Sequence, residues 1–145
     1  DVSATIRSAI GETLLLLKVG TFPGEASMRD FLRAVSKPVD GMTLVNGIAR
    51  PVLHRDGRPA FGEDYVQAGV LGRIIHEPSV ASVRQARAIV DAEGLGLALA
   101  AVGGVSRAED LADFFEAGAD AIMLGSSPMY LPNLACEIKR AHPDW

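Results

Sequence analysis

Two small-residue turns and two isolated polar side chains carry the chemistry that this sequence offers. Gly103-Gly104 and Gly125-Ser126 each follow a short apolar run. Where no Cβ intervenes, backbone N–H groups approach an anion closely. A helix that follows such a turn adds the positive end of its dipole, and Ser126 adds a hydroxyl donor. Either turn alone reads as a tight βα turn; two consecutive ones, if they follow the last two strands of a (β/α)₈ barrel, match the phosphate site found there. Lys18 is a cation embedded in the apolar run 13–19, TLLLLKV. It is either a strand-end lysine reaching solvent or, on a ligand-facing surface, a cation that neutralises an electron-rich ring or an anionic reduced cofactor. Asn46 precedes Gly47. It either shapes a turn or offers both an amide donor and an acceptor to a planar ligand.

The other reactive residue types read as scenery. His54, His76 and His142 are scattered, with no carboxylate at metal-ligand spacing. They read as surface or loop histidines, and no metal site is expected. Cys136 is the single cysteine and falls on the presumed core side of the last helix. It reads as a small buried hydrophobe, not a nucleophile. Asp113, Glu116 and Asp120 read as a solvated helix face and turn. Arg50, Arg55, Arg58 and Arg73 surround a long loop and read as solvated. No residue of the chain is assigned as catalytic.

Elements that position these residues follow from hydrophobic period and punctuation. Val2 to Ile10 has helical spacing. The run from Thr13 to Val19 is nearly continuous, as in a strand buried on both faces of a parallel sheet. Met28, Phe31, Leu32 and Val35 predict an amphipathic helix over 27–36. Gly41 to Val45 predicts the second strand. A connection over 48–72 is rich in Gly and Pro and has no sustained period, as functional loops often do. Helical spacing returns over 74–93, with Pro78 near its start and Gly94 as its stop. Leu95 to Val102 predicts the third strand. Ser106 and Glu109 form a capping box ahead of a helix carrying Leu111, Phe114 and Phe115. Ala121 to Leu124 predicts the fourth strand, and a final helix is expected over 131–141.

Four strand-then-helix units imply an α/β fold with parallel strands. A complete (β/α)₈ barrel takes about 250 residues. The 145 residues here amount to roughly half of one. A doubly wound sheet is the other arrangement open on this pattern. The dinucleotide motif G-x-G-x-x-G is missing from the strand ends. Charged residues make up 22% and hydrophobic ones 48% of the chain, which excludes a disordered or coiled-coil protein. A net charge of −4 argues against a general nucleic-acid partner. No apolar run is long enough to span a bilayer, and no secretory signal opens the chain. With one cysteine, these features fit a reducing, cytoplasmic compartment.

The order of motifs is similar to the C-terminal half of the dihydroorotate dehydrogenase family, FMN-dependent TIM barrels. LLLLKVG resembles the fifth strand of that family, whose lysine contacts the flavin. TLVNG resembles its sixth-strand Val-Asn-Thr motif, whose asparagine contacts the pyrimidine. AGVLG, 68–72, resembles its Gly-Gly-Leu-Ser-Gly segment. AAVGGVSRAEDLADFFEAGADAIMLGSS resembles its seventh strand, the following helix and the eighth strand. The resemblance runs from about Thr13 to Ala141. Two departures are visible: Gly47 stands at the threonine, and AGVLG lacks the serine.

By this resemblance, Lys18 sits beside the isoalloxazine ring and Gly72 lies near the flavin. Gly103, Gly104, Gly125 and Ser126 hold the FMN phosphate, and Asn46 binds dihydroorotate or a related pyrimidine. The implied reaction removes a proton from C5 of dihydroorotate and passes a hydride from C6 to the flavin, in pyrimidine biosynthesis. The family's base, a cysteine or serine, follows the fourth strand and therefore belongs to an N-terminal half absent from these residues. The chain alone is expected to be one partial domain without turnover. Its exposed strand edges and apolar inner face favour association, including with a second copy. Two other readings stay open: a non-flavin phosphate-binding TIM-barrel enzyme, and a half-barrel binding module.

Overall fold

The computed structural model describes residues 2–145. It is an α/β chain built on a four-stranded sheet. Helix α1 (Val2–Ile10) leads into β1 (Leu16–Val19), α2 (Glu25–Val35) and β2 (Gly41–Leu44). Strands β3 (Ile48–Pro51) and β4 (Gln67–Val70) follow, then α3 (His76–Glu93) and β5 (Ala98–Val102). The chain closes with α4 (Glu109–Glu116), β6 (Ala121–Met123) and α5 (Leu134–Ala141). The main sheet runs β1-β2-β5-β6, with every neighbouring pair parallel. This is the arrangement of half a TIM barrel, so the barrel-half expectation holds over the doubly wound one.

Register divides the sheet into two faces. Leu17, Met42 and Leu99 lie side by side, as do Val19, Leu44 and Ala101. Met42, Leu44, Leu99 and Ala101 are buried in the core with Met28 and Leu32 of α2 and Val83, Ala86 and Ile89 of α3. The other face carries Lys18, Thr43, Ala100 and Ala121 in one row. Small side chains predominate there, as the narrow interior of a barrel requires. At Gly41 a Cβ would come 2.5 Å from the carbonyl oxygen of Ala98. No side chain fits between those two strands.

Helix positions follow the predicted stripes. Met28, Leu32 and Val35 are the buried residues of α2. Gly94 ends α3 in the left-handed conformation, φ +60°. Glu93 receives hydrogen bonds from Arg29 and Arg33, fastening the end of α3 to α2. Arg7 of α1 pairs with Asp40 and donates to the Pro38 carbonyl, which ties the first helix to the start of β2. Among the described residues, no helix is long and apolar enough to cross a membrane.

Several expectations are corrected. The first strand begins at Leu16, not Thr13, and it is not buried on both faces. Leu16 remains 39% exposed because β1 is an edge strand whose inner face lacks a cover. The 48–72 connection contains the antiparallel β3–β4 hairpin and a further Leu53–Pro59 bridge. Its strands are too short to show a period, and Gly57 closes the inner turn at φ +86°. The third strand starts at Ala98 because the Leu95 N–H is taken by the Val90 carbonyl, capping α3. A short 3₁₀ turn over Ser127–Met129 delays α5 until Leu134. Cys136 is exposed, not buried. Leu134 and Ile138, one turn apart, form the buried stripe of α5, and Cys136 lies between them on the other side.

Candidate functional site

Parallel strands deliver their carboxyl ends to one rim of the sheet, and six of the seven predicted site residues stand there. Lys18 lies in β1, one residue from its end, and Asn46 follows β2. Gly103-Gly104 follows β5, and Gly125-Ser126 follows β6. Gly72 stands between β4 and a 3₁₀ turn over Arg73–Ile75. All seven, Lys18, Asn46, Gly72, Gly103, Gly104, Gly125 and Ser126, line one cleft of about 250 Å³. Val45, Leu71, Ile75, Val102, Val105, Met123 and Met129 supply its apolar wall. Lys18 is the only ionisable side chain in that lining.

The glycines are needed for more than access. Gly104 has φ +68°, and a Cβ there would meet the Gly72 carbonyl oxygen at 2.8 Å and the His76 nitrogen at 3.0 Å. Gly103 leaves the same lack of room, with the Ser79 Cβ 2.6 Å from where its own would stand. The turn after β5 is thus pressed onto the first turn of α3. Gly125 is different: the nearest atom to an added Cβ is Val102 Cγ2 at 4.0 Å. Among the described residues, the backbone N–H groups of Gly104 and Gly125 have no protein acceptor. A cleft with one ammonium, a serine hydroxyl and uncommitted N–H donors can hold an oxyanion beside an apolar surface. That chemistry suits a phosphate beside an apolar ring.

Beneath the β5 turn lies a polar network that the sequence reading missed. His76 is a buried histidine, contrary to its expected surface or loop position. Its Nδ1 is 3.1 Å from the Gly103 carbonyl oxygen and its Nε2 is 2.8 Å from Asp113 Oδ2. The ring stands nearly perpendicular to Phe114, with centroids 5.2 Å apart. Asp113 is exposed as expected, but it has a partner. Asp120 likewise accepts the Leu99 N–H at 2.7 Å. Arg73 is not simply solvated, since it pairs with buried Asp110. The expected capping box is displaced by one residue: the Ser106 N–H and hydroxyl both donate to Asp110, not Glu109. A serine four residues before an aspartate was the signal available. His54 and His142 keep to the loop and the C-terminal end, His142 stacking on Trp145 at 4.0 Å.

His76, Asp110 and Asp113 offer ligand atoms within 4.8 Å of one another. The lone pairs of Asp110 are already committed to Ser106, Arg107 and Arg73. A guanidinium at that position also opposes a second cation. The cluster is a hydrogen-bonded brace. Burial works against the ionised Asp110 carboxyl, but the Ser106 hydrogen bonds and the charge of Arg73 outweigh it and hold its pKa below the ordinary 3.8. A lowered folded-state pKa stabilises the fold above about pH 4 and loses that stabilisation as pH falls through the folded value. Asp110→Asn is therefore expected to cost about 1.5–3 kcal/mol at neutral pH and to flatten the acid limb of stability. Urea unfolding across pH 3 to 7 measures both; parallel curves for the two proteins would contradict this role.

A second, larger groove of about 690 Å³ lies between α4, β6 and α5, lined by Leu111, Phe115, Ile122, Leu124, Ile138 and Trp145 among others. None of the seven predicted residues borders it.

No family model matches the chain. Among curated proteins, the catalytic subunit of dihydroorotate dehydrogenase B (NAD(+)) from Staphylococcus carnosus is 24% identical over 131 residues. That match takes in 90% of this chain and 40% of the relative. A dihydroorotate dehydrogenase from Dictyostelium discoideum is 28% identical over 123 residues, 83% of this chain and 33% of the relative. The chain thus spans well under half the length of these curated relatives. Among solved structures, Eimeria tenella DHODH in complex with ferulenol superposes with a TM-score of 0.68 at 22% identity, over 88% of this chain and 32% of that one. The ligand-free form gives 0.69 at 22% identity, over 88% and 34%. The structures share the fold. The curated relatives point to dihydroorotate dehydrogenase, matched by this chain as a C-terminal fragment.

Proposed function

We propose that this chain is the cofactor-binding half of an FMN-dependent oxidoreductase of the dihydroorotate dehydrogenase type. One observation carries the reading: six residues singled out by type and spacing, together with Gly72 from the family resemblance, come from five separate segments and border a single cleft. FMN, when bound, supplies a two-electron hydride acceptor. In this reading the N–H groups of Gly104 and Gly125 and the Ser126 hydroxyl take the phosphate. Lys18 holds positive charge against the ring system. Gly72 leaves room for the flavin, and Asn46 hydrogen-bonds a pyrimidine such as dihydroorotate.

Residues 1–145 then form one partial domain. The N-terminal half of the barrel pairs along the free edges of β1 and β6, covers the inner face and contributes the base. The work of the intact enzyme is the oxidation of dihydroorotate to orotate in cytoplasmic pyrimidine biosynthesis. Support comes from the names of the curated relatives and from a cleft whose donors suit a phosphate next to an apolar wall.

The test is to purify the intact natural protein, record its visible spectrum, and titrate apoprotein with FMN by flavin fluorescence. A yellow protein that is bleached by dihydroorotate is expected. Lys18→Met should weaken FMN binding about tenfold or more, the loss of one charge-assisted contact. A colourless intact protein that ignores FMN and takes up a phosphorylated sugar would replace this reading with a non-flavin phosphate-binding barrel.

A further inference from the structure

We propose that His76 is a positioning residue for the anion cleft, aiming the Gly104 N–H by holding the carbonyl of Gly103. The inference rests on reading the cleft as a phosphate site and adds a residue that does not line it. His76 is 3% exposed and its Nδ1 lies 3.1 Å from the Gly103 oxygen. A carbonyl oxygen only accepts, so Nδ1–H is the donor in that contact. The one cis peptide among the described residues joins Leu44 and Val45, so the Gly103–Gly104 peptide is trans. In a planar trans peptide, the C=O and the following N–H point in opposite directions. Holding the Gly103 carbonyl toward α3 therefore turns the Gly104 N–H away from α3, on the side where Gly104 borders the cleft. Among the described residues, that N–H has no protein acceptor.

Two glycines in a row give this turn a freedom that other residues lack. The freedom must be removed if the N–H is to be ready for an anion, since ordering it on binding weakens affinity. His76 removes it, and the ring is itself fixed from two sides. Nε2–H donates to Asp113 of α4 at 2.8 Å, since a carboxylate also only accepts, and Phe114 packs nearly perpendicular to the ring. The brace thus links α3, the β5 turn and α4.

Asparagine and leucine have nearly the same shape, and an asparagine amide reaches roughly where Nδ1 stands, so the pair separates donor from bulk. In the intact natural protein, inorganic phosphate and FMN are titrated separately by calorimetry into wild type, His76→Asn, His76→Leu and Asp113→Ala. His76→Asn is expected to stay within about threefold of wild type, and His76→Leu to lose about tenfold for both probes, the scale of one hydrogen bond. Asp113→Ala, at an exposed carboxylate, frees the ring without threatening the fold. It should weaken phosphate binding about threefold. The amide-proton shift of Gly104 on adding phosphate should persist in His76→Asn and shrink in His76→Leu. Equal losses in His76→Asn and His76→Leu would reduce His76 to a packing residue and overturn the proposal. Wild-type phosphate affinity in Asp113→Ala would overturn it too, even if neither His76 variant folds. Failure of the wild type to bind FMN while phosphate still follows this order sinks the flavin reading and leaves the role of His76 standing.

Discussion

Gly104→Ala is expected to destabilise the fold by about 2–5 kcal/mol, the sum of two independent costs. The first is conformational: φ at this position is +68°, where an L side chain costs about 1–2 kcal/mol. The second is steric: the new Cβ would meet backbone atoms of Gly72 and His76 at 2.8 and 3.0 Å. Backbone cannot rotate aside as a side-chain tip can, and overpacking of this kind costs about 1–3 kcal/mol. Gly125→Ala is the control. Its Cβ finds only Val102 Cγ2 at 4.0 Å, and its φ is not in the left-handed region. It should cost under about 1 kcal/mol, the usual range for a change that strains nothing. Denaturant midpoints of the two variants make the comparison. Similar midpoints would mean that the β5 turn relaxes and is not fixed by its packing on α3.

No oxidation of dihydroorotate is expected from residues 1–145 by themselves. Proton removal needs a base within hydrogen-bond reach of the substrate, a contribution of about 10²–10⁴ in rate. Among the described residues, Lys18 is the only ionisable side chain bordering the cleft, and its positive charge is already assigned to the ring system. Cys136 is on α5 and does not border the cleft. Asp110 and Asp113 are engaged by Arg73 and His76. Supplying in trans an N-terminal barrel half that carries the base should restore orotate formation, with both edges of the sheet then paired. Orotate production by the isolated residues would mean that the base is here and unrecognised. Failure of a stably assembled pair to turn over would count against the assignment of substrate.

Much of the architecture was written in local patterns. Buried stripes such as Met28, Leu32 and Val35 have only one helical reading, and Gly94 marks a stop that its backbone conformation requires. The β3–β4 hairpin was not legible, since β3 buries only Ile48 and β4 alternates merely between exposed and half-buried, over four residues each. Cys136 misled because a short terminal helix fills its stripe with two residues, and the neighbours of that stripe are decided by packing.

By itself, the sequence determined the four βα units, the parallel order they impose, and which residues would stand at the strand ends. Side-chain period and glycine punctuation are local properties, and the directions of parallel strands turn them into one shared rim. Only the tertiary structure decided that the six rim residues and Gly72 border one cleft, and that His76 supports it from below. His76 and Gly103 are 27 residues apart, and His76 and Asp113 are 37 apart. Nothing in a residue's near neighbours encodes a hydrogen bond across that distance; it exists because α3 and α4 pack beside each other behind β5.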